Sequence, residues 1–242
     1  MVIDPDLGTN LVSEDFSDLP SRADRVAEVR RELDRVGVVE LRNFLSADAH
    51  QLLKQQIHDR LDHAEPGHGI KGDVLRDTVV GELAGSPYML EFSNRLLGDV
   101  DGARAYISEP IRSEEIVPGI NLMRATRDVT PYHFDGTYLN VILAVEIPKL
   151  TGPRRGQLVI YPNIRSFKGR IWGPYVAPLA TRSGAMRRLL AAHRREIDYE
   201  EGGAYLFYGY RSLHGVEAQS ADAFRAITNM TVGATRFAAG RP

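Results

Sequence analysis

His133 and Asp135 stand two residues apart in Thr130-Pro131-Tyr132-His133-Phe134-Asp135-Gly136-Thr137-Tyr138, just before an apolar, β-branched run. In an extended chain, residues two apart project to the same side. The imidazole and the carboxylate can therefore converge on one point, as two ligands of a divalent metal. The remaining histidines differ in setting. His50, His58 and His63 lie on a helix-patterned, highly charged segment, His68 in a glycine-rich stretch, and His193 among arginines. His214 instead follows a strong strand pattern and precedes Gly215-Val216, which places it in the same sheet region as the first pair. Two histidines and one carboxylate on one face of a metal leave the other face open, a donor set suited to non-haem Fe(II) chemistry with dioxygen. His133, Asp135 and His214 are the candidate metal ligands and catalytic centre.

The open positions must also hold an electron donor. If that donor is 2-oxoglutarate, its far carboxylate needs a fixed cation, and the planar fork of arginine matches a carboxylate. Arg225 lies in the alternating stretch Phe224-Arg225-Ala226-Ile227-Thr228-Asn229-Met230. An arginine in a half-buried strand requires a partner.

The elements that must position these groups fall into two regions. Residues 1 to 20 read as an irregular lead-in. Val26, Val29, Leu33 and Val36 form one helical stripe, with Ser21 as its cap and Gly37 as its stop. Gly37 to Leu41 is a short strand, and Ser46 opens a second helix carrying Leu52, Leu53, Ile57 and Leu61. Pro87 to Leu97 is another helix, and Glu65 to Asp73 is a loop suited to cover a site mouth. Beyond residue 100 the period changes. Segments 103–108, 119–125, 137–146, 156–161, 204–208 and 224–232 are β-rich and separated by Gly and Pro turns, the pattern of a sandwich or barrel. Segment 183–195 reads as a helical insertion. Its arginines form a solvated face or, alternatively, meet an acidic substrate. Trp172 reads as packing. A zinc site at His58, Asp62, His63, Glu65 and His68 is conceivable, but His63 faces away from His58 on a helix.

Composition excludes several classes. The 242 residues are 43% hydrophobic and 26% charged, with a net charge of −2, which is ordinary globular composition without the basic block of a nucleic-acid binder. Zero cysteines exclude disulfides and thiolate sites and fit a reducing cytoplasm. The acidic, proline-interrupted N-terminus lacks a signal pattern. Apolar runs fall short of the roughly 20 residues that span a bilayer. The expectation is a soluble, cytoplasmic protein with a small-molecule substrate and neither nucleic-acid nor membrane partner.

Taken together, His133-Phe134-Asp135 with Gly136-Thr137-Tyr138, then His214-Gly215-Val216, then Arg225 resemble the Fe(II)/2-oxoglutarate-dependent dioxygenase superfamily. The His-x-Asp-Gly form and the lead-in Gly37-Val38-Val39-Glu40-Leu41-Arg42-Asn43-Phe44-Leu45-Ser46 are most similar to its phytanoyl-CoA-hydroxylase-like branch. The resemblance spans roughly residues 22 to 235, and its specific part is four residues. It implies a mainly β fold with a helical N-terminal part: a double-stranded β-helix, the jelly-roll, cupin-like barrel. Residues 1–242 would form a single domain, with 1–100 a mostly helical scaffold and 101–235 the jelly-roll core, interrupted near 181–195. It implies Fe(II), 2-oxoglutarate as cosubstrate, and dioxygen. The implied reaction is oxidation of an unactivated C–H bond by hydroxylation, desaturation or oxidative cyclisation, in amino-acid-derived or natural-product metabolism. Around Arg225, the residues Asn121, Tyr132, Thr137, Tyr161 and Asn229 are near enough in the pattern to line the cofactor pocket. One stretch departs from the family. Where relatives often carry a Gly-Ser-His turn, this chain has Pro162-Asn163-Ile164-Arg165, so the substrate is not carried over. The alternative is a cupin-like isomerase or ligand-binding protein, which needs the metal triad but not Arg225.

Overall fold

Period-two alternation sorts the β-rich half of the chain into two antiparallel sheets. The computed structural model describes residues 10–61, 70–98, 110–124, 129–151, 155–165, 183–219 and 223–234. Ten strands are described: β1 (Val38–Leu41), β2 (Ile70–Lys71), β3 (Ile116–Met123), β4 (Thr130–His133), β5 (Thr137–Glu146), β6 (Leu158–Tyr161), β7 (Arg195–Ile197), β8 (Ala204–Phe207), β9 (Leu213–Val216) and β10 (Arg225–Ala234). The larger sheet runs β1-β8-β5-β10-β3-β2 and the smaller β4-β9-β6-β7. From β3 onward the chain passes repeatedly between the sheets, and every pairing is antiparallel. Jelly rolls share this passage of the chain between two antiparallel sheets.

Strands β5, β8 and β10 of the larger sheet divide their side chains between two clusters. In β5, Leu139, Val141, Leu143 and Val145 join the main core, whereas Ile142 and Ala144 join a second cluster facing the smaller sheet. The main core also takes Val26, Val29 and Leu33 from α2 (Ala23–Arg35), Leu53 and Ile57 from α3 (Ala47–Arg60), Leu83 from α4 (Val79–Gly85), and Phe92 and Leu96 from α5 (Pro87–Leu97). The short α1 (Glu14–Ser17) contributes no residue to this buried set, and α6 spans Gly184–Leu189. The helices thus cover one face of the larger sheet and leave its other face to the space between the sheets.

The local signals hold in part. Ser46 caps α3 by accepting the Ala49 N–H at 3.3 Å. Gly37, at φ +87°, takes the left-handed turn that ends α2. The position before α2 is Arg22 rather than Ser21, whose hydroxyl instead donates to the Asp18 carbonyl at 2.7 Å within a 3-10 turn. Helix α4 does not stand out in the sequence, because its seven residues include Gly81 and Gly85. The insertion read as helical over 183–195 is helical only at Gly184–Leu189 and Ala191–His193, and Arg195 already starts β7. Segment 103–108, Trp172, and the Asp62, His63, Glu65 and His68 cluster lie outside the described residues. Of the loop expected from Glu65, Ile70 and Lys71 form an edge strand. Among the described residues, no helix is long and apolar enough to cross a membrane.

Leu53, fully buried between α3 and the sheet, tests this core. Leu53→Ala is expected to cost roughly 2–5 kcal/mol. Urea denaturation would show it as a lower midpoint at unchanged slope.

Candidate metal centre and its cavity

Strand register places the three candidate ligands. In the β4–β9 ladder, His133 and His214 are direct cross-strand partners, and their ring centroids lie 4.4 Å apart. Asp135 follows β4 by two residues, and its N–H donates to the Gly209 carbonyl at 3.1 Å. His133 Nε2 lies 3.4 Å from Asp135 Oδ1, and His214 Nε2 lies 3.3 Å from Asp135 Oδ2. One donor atom from each of the three residues lies within 4.8 Å of the others.

Both imidazoles are oriented in the same way. His133 Nδ1 donates to the Pro131 carbonyl at 2.7 Å, and His214 Nδ1 to the Ser212 carbonyl at 3.0 Å. In each case the acceptor sits two residues back in the chain. Tying down Nδ1–H fixes the tautomer and leaves the Nε2 lone pair for a metal. The carboxylate is held as well, because Asn140 Nδ2 donates to Asp135 Oδ2. Gly209 allows this close approach: a Cβ there would fall 3.0 Å from Asp135 Cβ and still closer to its carboxylate.

The electrostatics suit a cation. Burial alone would raise the Asp135 pKa, but the charges and hydrogen bonds of both histidines and Asn140 outweigh it and hold the carboxyl below its ordinary value. Burial pulls His214 down and favours its neutral, ligating form. For His133 burial acts in the same direction, yet Asp135 outweighs it and the net shift is upward. Two imidazole nitrogens and one carboxylate are a donor set that fits Fe(II) with open positions.

The triad opens into a cavity of ≈ 340 Å³. Arg225 lies on its wall, only 1% exposed. One guanidinium nitrogen donates to the Gly156 carbonyl and lies 3.2 Å from Met123 Sδ, while Nε has no partner. Among the described residues no carboxylate pairs with it, and burial lowers its pKa. Tyr199 lies beneath it, with the guanidinium carbon 4.9 Å from the ring centroid. The Tyr199 hydroxyl is also buried without a partner, and burial pushes its pKa up to about 12, so it remains a donor. A buried cation and a buried hydroxyl, both short of acceptors on one cavity wall, fit a carboxylate ligand.

The other sequence-derived pocket residues divide by strand parity. Asn121 and Asn229 line the cavity and bond each other, Nδ2 to Oδ1 at 2.9 Å. Tyr132 and Tyr161 do not line it. They pack at 5.9 Å on the opposite face of the smaller sheet, in a cluster with Val159 and Leu213. Thr137 is also not among the cavity residues. It shares the parity of Leu139 and Val141, which face the helices. Sequence reasoning missed Tyr199, which lies outside any strand, and Lys71, whose edge strand has only two residues. It also missed Asn140, although its parity with Ile142 in the strongest strand was a usable signal.

No family model and no curated protein matches the sequence. Solved structures do match. A prolyl 4-hydroxylase from Phytophthora capsici is 14% identical with a TM-score of 0.63, covering 93% of this chain and 68% of that one. EctD from S. alaskensis, in its apoform, is 19% identical with a TM-score of 0.62, covering 96% and 84%. The epimerase SnoN, solved with Fe3+, alpha ketoglutarate and nogalamycin RO, is 17% identical with a TM-score of 0.59, covering 87% and 84%. At these identities the shared property is the fold.

Gly209→Ala tests the close packing behind the carboxylate. The new methyl group displaces Asp135 from Asn140, and Co(II) affinity, followed by its visible absorption, is expected to fall on the order of 10- to 100-fold.

Proposed function

We propose that the protein is a non-haem Fe(II)- and 2-oxoglutarate-dependent oxygenase acting on a C–H bond of a small molecule. The observation that carries this reading is Arg225: a buried guanidinium with no carboxylate partner among the described residues, on the wall of the cavity that His133, Asp135 and His214 also line. A metal-binding isomerase or binding protein has no use for such a cation. The reading is supported by the match to an epimerase solved with iron and alpha ketoglutarate and to a prolyl 4-hydroxylase.

His133, Asp135 and His214 would hold the iron through Nε2, a carboxylate oxygen and Nε2. Arg225 and the Tyr199 hydroxyl would hold the far carboxylate of 2-oxoglutarate. When bound, the two groups supply oxidising power from dioxygen, with 2-oxoglutarate converted to succinate and carbon dioxide. The protein's part is positioning and exclusion of water. Asn140 keeps the Asp135 carboxylate aimed at the metal position. Ile142, Phe207 and Ile227 line the cavity and belong to, or pack in, the apolar cluster between the sheets, so the space beside the metal position is partly dry. Hydroxylation, desaturation and oxidative cyclisation share the same hydrogen-abstraction start, and all three fit this site. The phytanoyl-CoA-hydroxylase-like branch, a role in natural-product or amino-acid metabolism, and a cytoplasmic setting complete the proposal.

Incubation with Fe(II), 2-oxoglutarate and air is expected to release succinate, increasing when a panel of small metabolites includes the substrate. No succinate above a His133→Ala control with any of them would overturn the reading. Arg225→Ala is expected to raise the KM for 2-oxoglutarate by about 30-fold or more, from the roughly 2–5 kcal/mol that a buried charge pair loses on truncation, with Co(II) binding retained. Tyr199→Phe removes one hydrogen bond to a charged group, and its expected loss of 2-oxoglutarate affinity is roughly 10-fold.

A further inference from the structure

The residue between the two ligands of the first pair, Phe134, projects away from the cavity, as alternation requires. Its ring meets the guanidinium of Arg165, whose central carbon lies 4.4 Å from the ring centroid. The same guanidinium also lies over Tyr210, with the carbon 3.7 Å from that centroid. Phe134 belongs to the segment that carries His133 and Asp135. Tyr210 belongs to the β8–β9 connection, which carries Gly209 and leads into His214. One planar cation is therefore held between the two segments that supply the ligands.

The loop bearing Arg165 is bound to the β8–β9 connection at three consecutive residues. Arg165 Nε donates to the Tyr210 carbonyl at 2.7 Å, the Arg165 N–H to the Arg211 carbonyl at 3.0 Å, and the Asn163 N–H to Ser212 Oγ at 3.2 Å. The backbone carbonyl of Ser212 in turn accepts the Nδ1 proton of His214. Asn163, at φ +53°, also donates from Nδ2 to the Leu33 carbonyl at 2.8 Å, tying the loop to α2. Among the described residues, Arg165 has no carboxylate within ion-pair reach. Its contacts are two rings and backbone carbonyl, so it acts by shape and direction more than by neutralising a charge.

We propose that Arg165 is a positioning residue that locks the His133–Asp135 segment onto the β8–β9 connection and keeps the ligand atoms converged before a metal arrives. The proposal rests on the metal-centre reading above. Its electrostatic and mechanical consequences have opposite signs. Arg165 is a cation near Asp135, so charge alone makes it repel a metal, and its removal then tightens metal binding. As a clamp, its removal loosens binding.

The test is Co(II) affinity, read from the visible absorption of the metal-bound protein, for wild type, Arg165→Ala, Arg165→Lys and Phe134→Leu, with apparent Tm of the metal-free forms in parallel. Arg165→Ala is expected to weaken Co(II) on the order of 10- to 100-fold. Arg165→Lys is expected to restore little of this, because an ammonium lacks the planar face and the fixed Nε donor. Phe134→Leu removes the stacking partner while keeping an apolar side chain, and is expected to reproduce part of the loss. The double variant Arg165→Ala/Phe134→Leu then falls short of additivity. Unchanged or tighter Co(II) binding in Arg165→Ala, full recovery in Arg165→Lys, or strict additivity of the double variant overturns the clamp. If Arg165→Ala does not fold, Arg165→Lys and Phe134→Leu decide by the same measure. A wild type that binds no Co(II) defeats the metal-centre reading itself, whereas a binding wild type with an indifferent Arg165 defeats only this inference.

Discussion

Three candidate ligand atoms, from His133, Asp135 and His214, converge in a partly buried place with only protein to gather them. Two imidazoles and a carboxylate do not cluster spontaneously, since each loses hydration and keeps several rotamers open. Backbone geometry resolves the problem here. The β4–β9 register makes His133 and His214 neighbours. A carbonyl two residues back holds each ring. Gly209 accepts the Asp135 N–H and leaves room for its side chain. The small sheet is built around this convergence, and the larger sheet with its helices serves as the platform that keeps β8 and β9 in place.

The two sheets divide the chemistry. The smaller sheet and its connections bring the candidate metal ligands, and β10 of the larger sheet brings Arg225. A buried guanidinium with no carboxylate partner among the described residues costs stability, and a ligand that supplies the missing acceptors offsets that cost. Tyr199 adds a second unsatisfied donor at the same place. Two buried donors short of acceptors are the kind of place where stability and function are expected to diverge.

The convergence of the candidate ligands was legible in the sequence, because its main signal is periodic. A His-x-Asp pair before a long apolar strand fixes two side chains to one side, and the strands at 137–146 and 204–207 stand close to where their composition puts them. Legibility stopped where parity needs an anchor that the sequence does not print. Tyr132 and Tyr161 are neighbours of ligands and core in sequence, yet one step of alternation puts them on the far face. The strand β7 escaped notice because Arg-Glu-Ile carries no apolar pattern. Lys71 and Tyr199 reach the cavity from a two-residue edge strand and a connection, which only tertiary packing defines.

The same reasoning accounts for a fold shared at 14% to 19% identity while no family model matches. The site makes few demands on residue type: three ligands, a cation, a glycine at one close approach. Its other demands are on parity and register, which any suitable β-branched or aliphatic residues satisfy. Sequence can therefore drift through most of the core without moving Nε2 of either histidine. Positions that hold one ligand-bearing segment against another have no such freedom. The Pro162-Asn163-Ile164-Arg165 loop is such a place, with Asn163 and Arg165 making the bonds to 210–212.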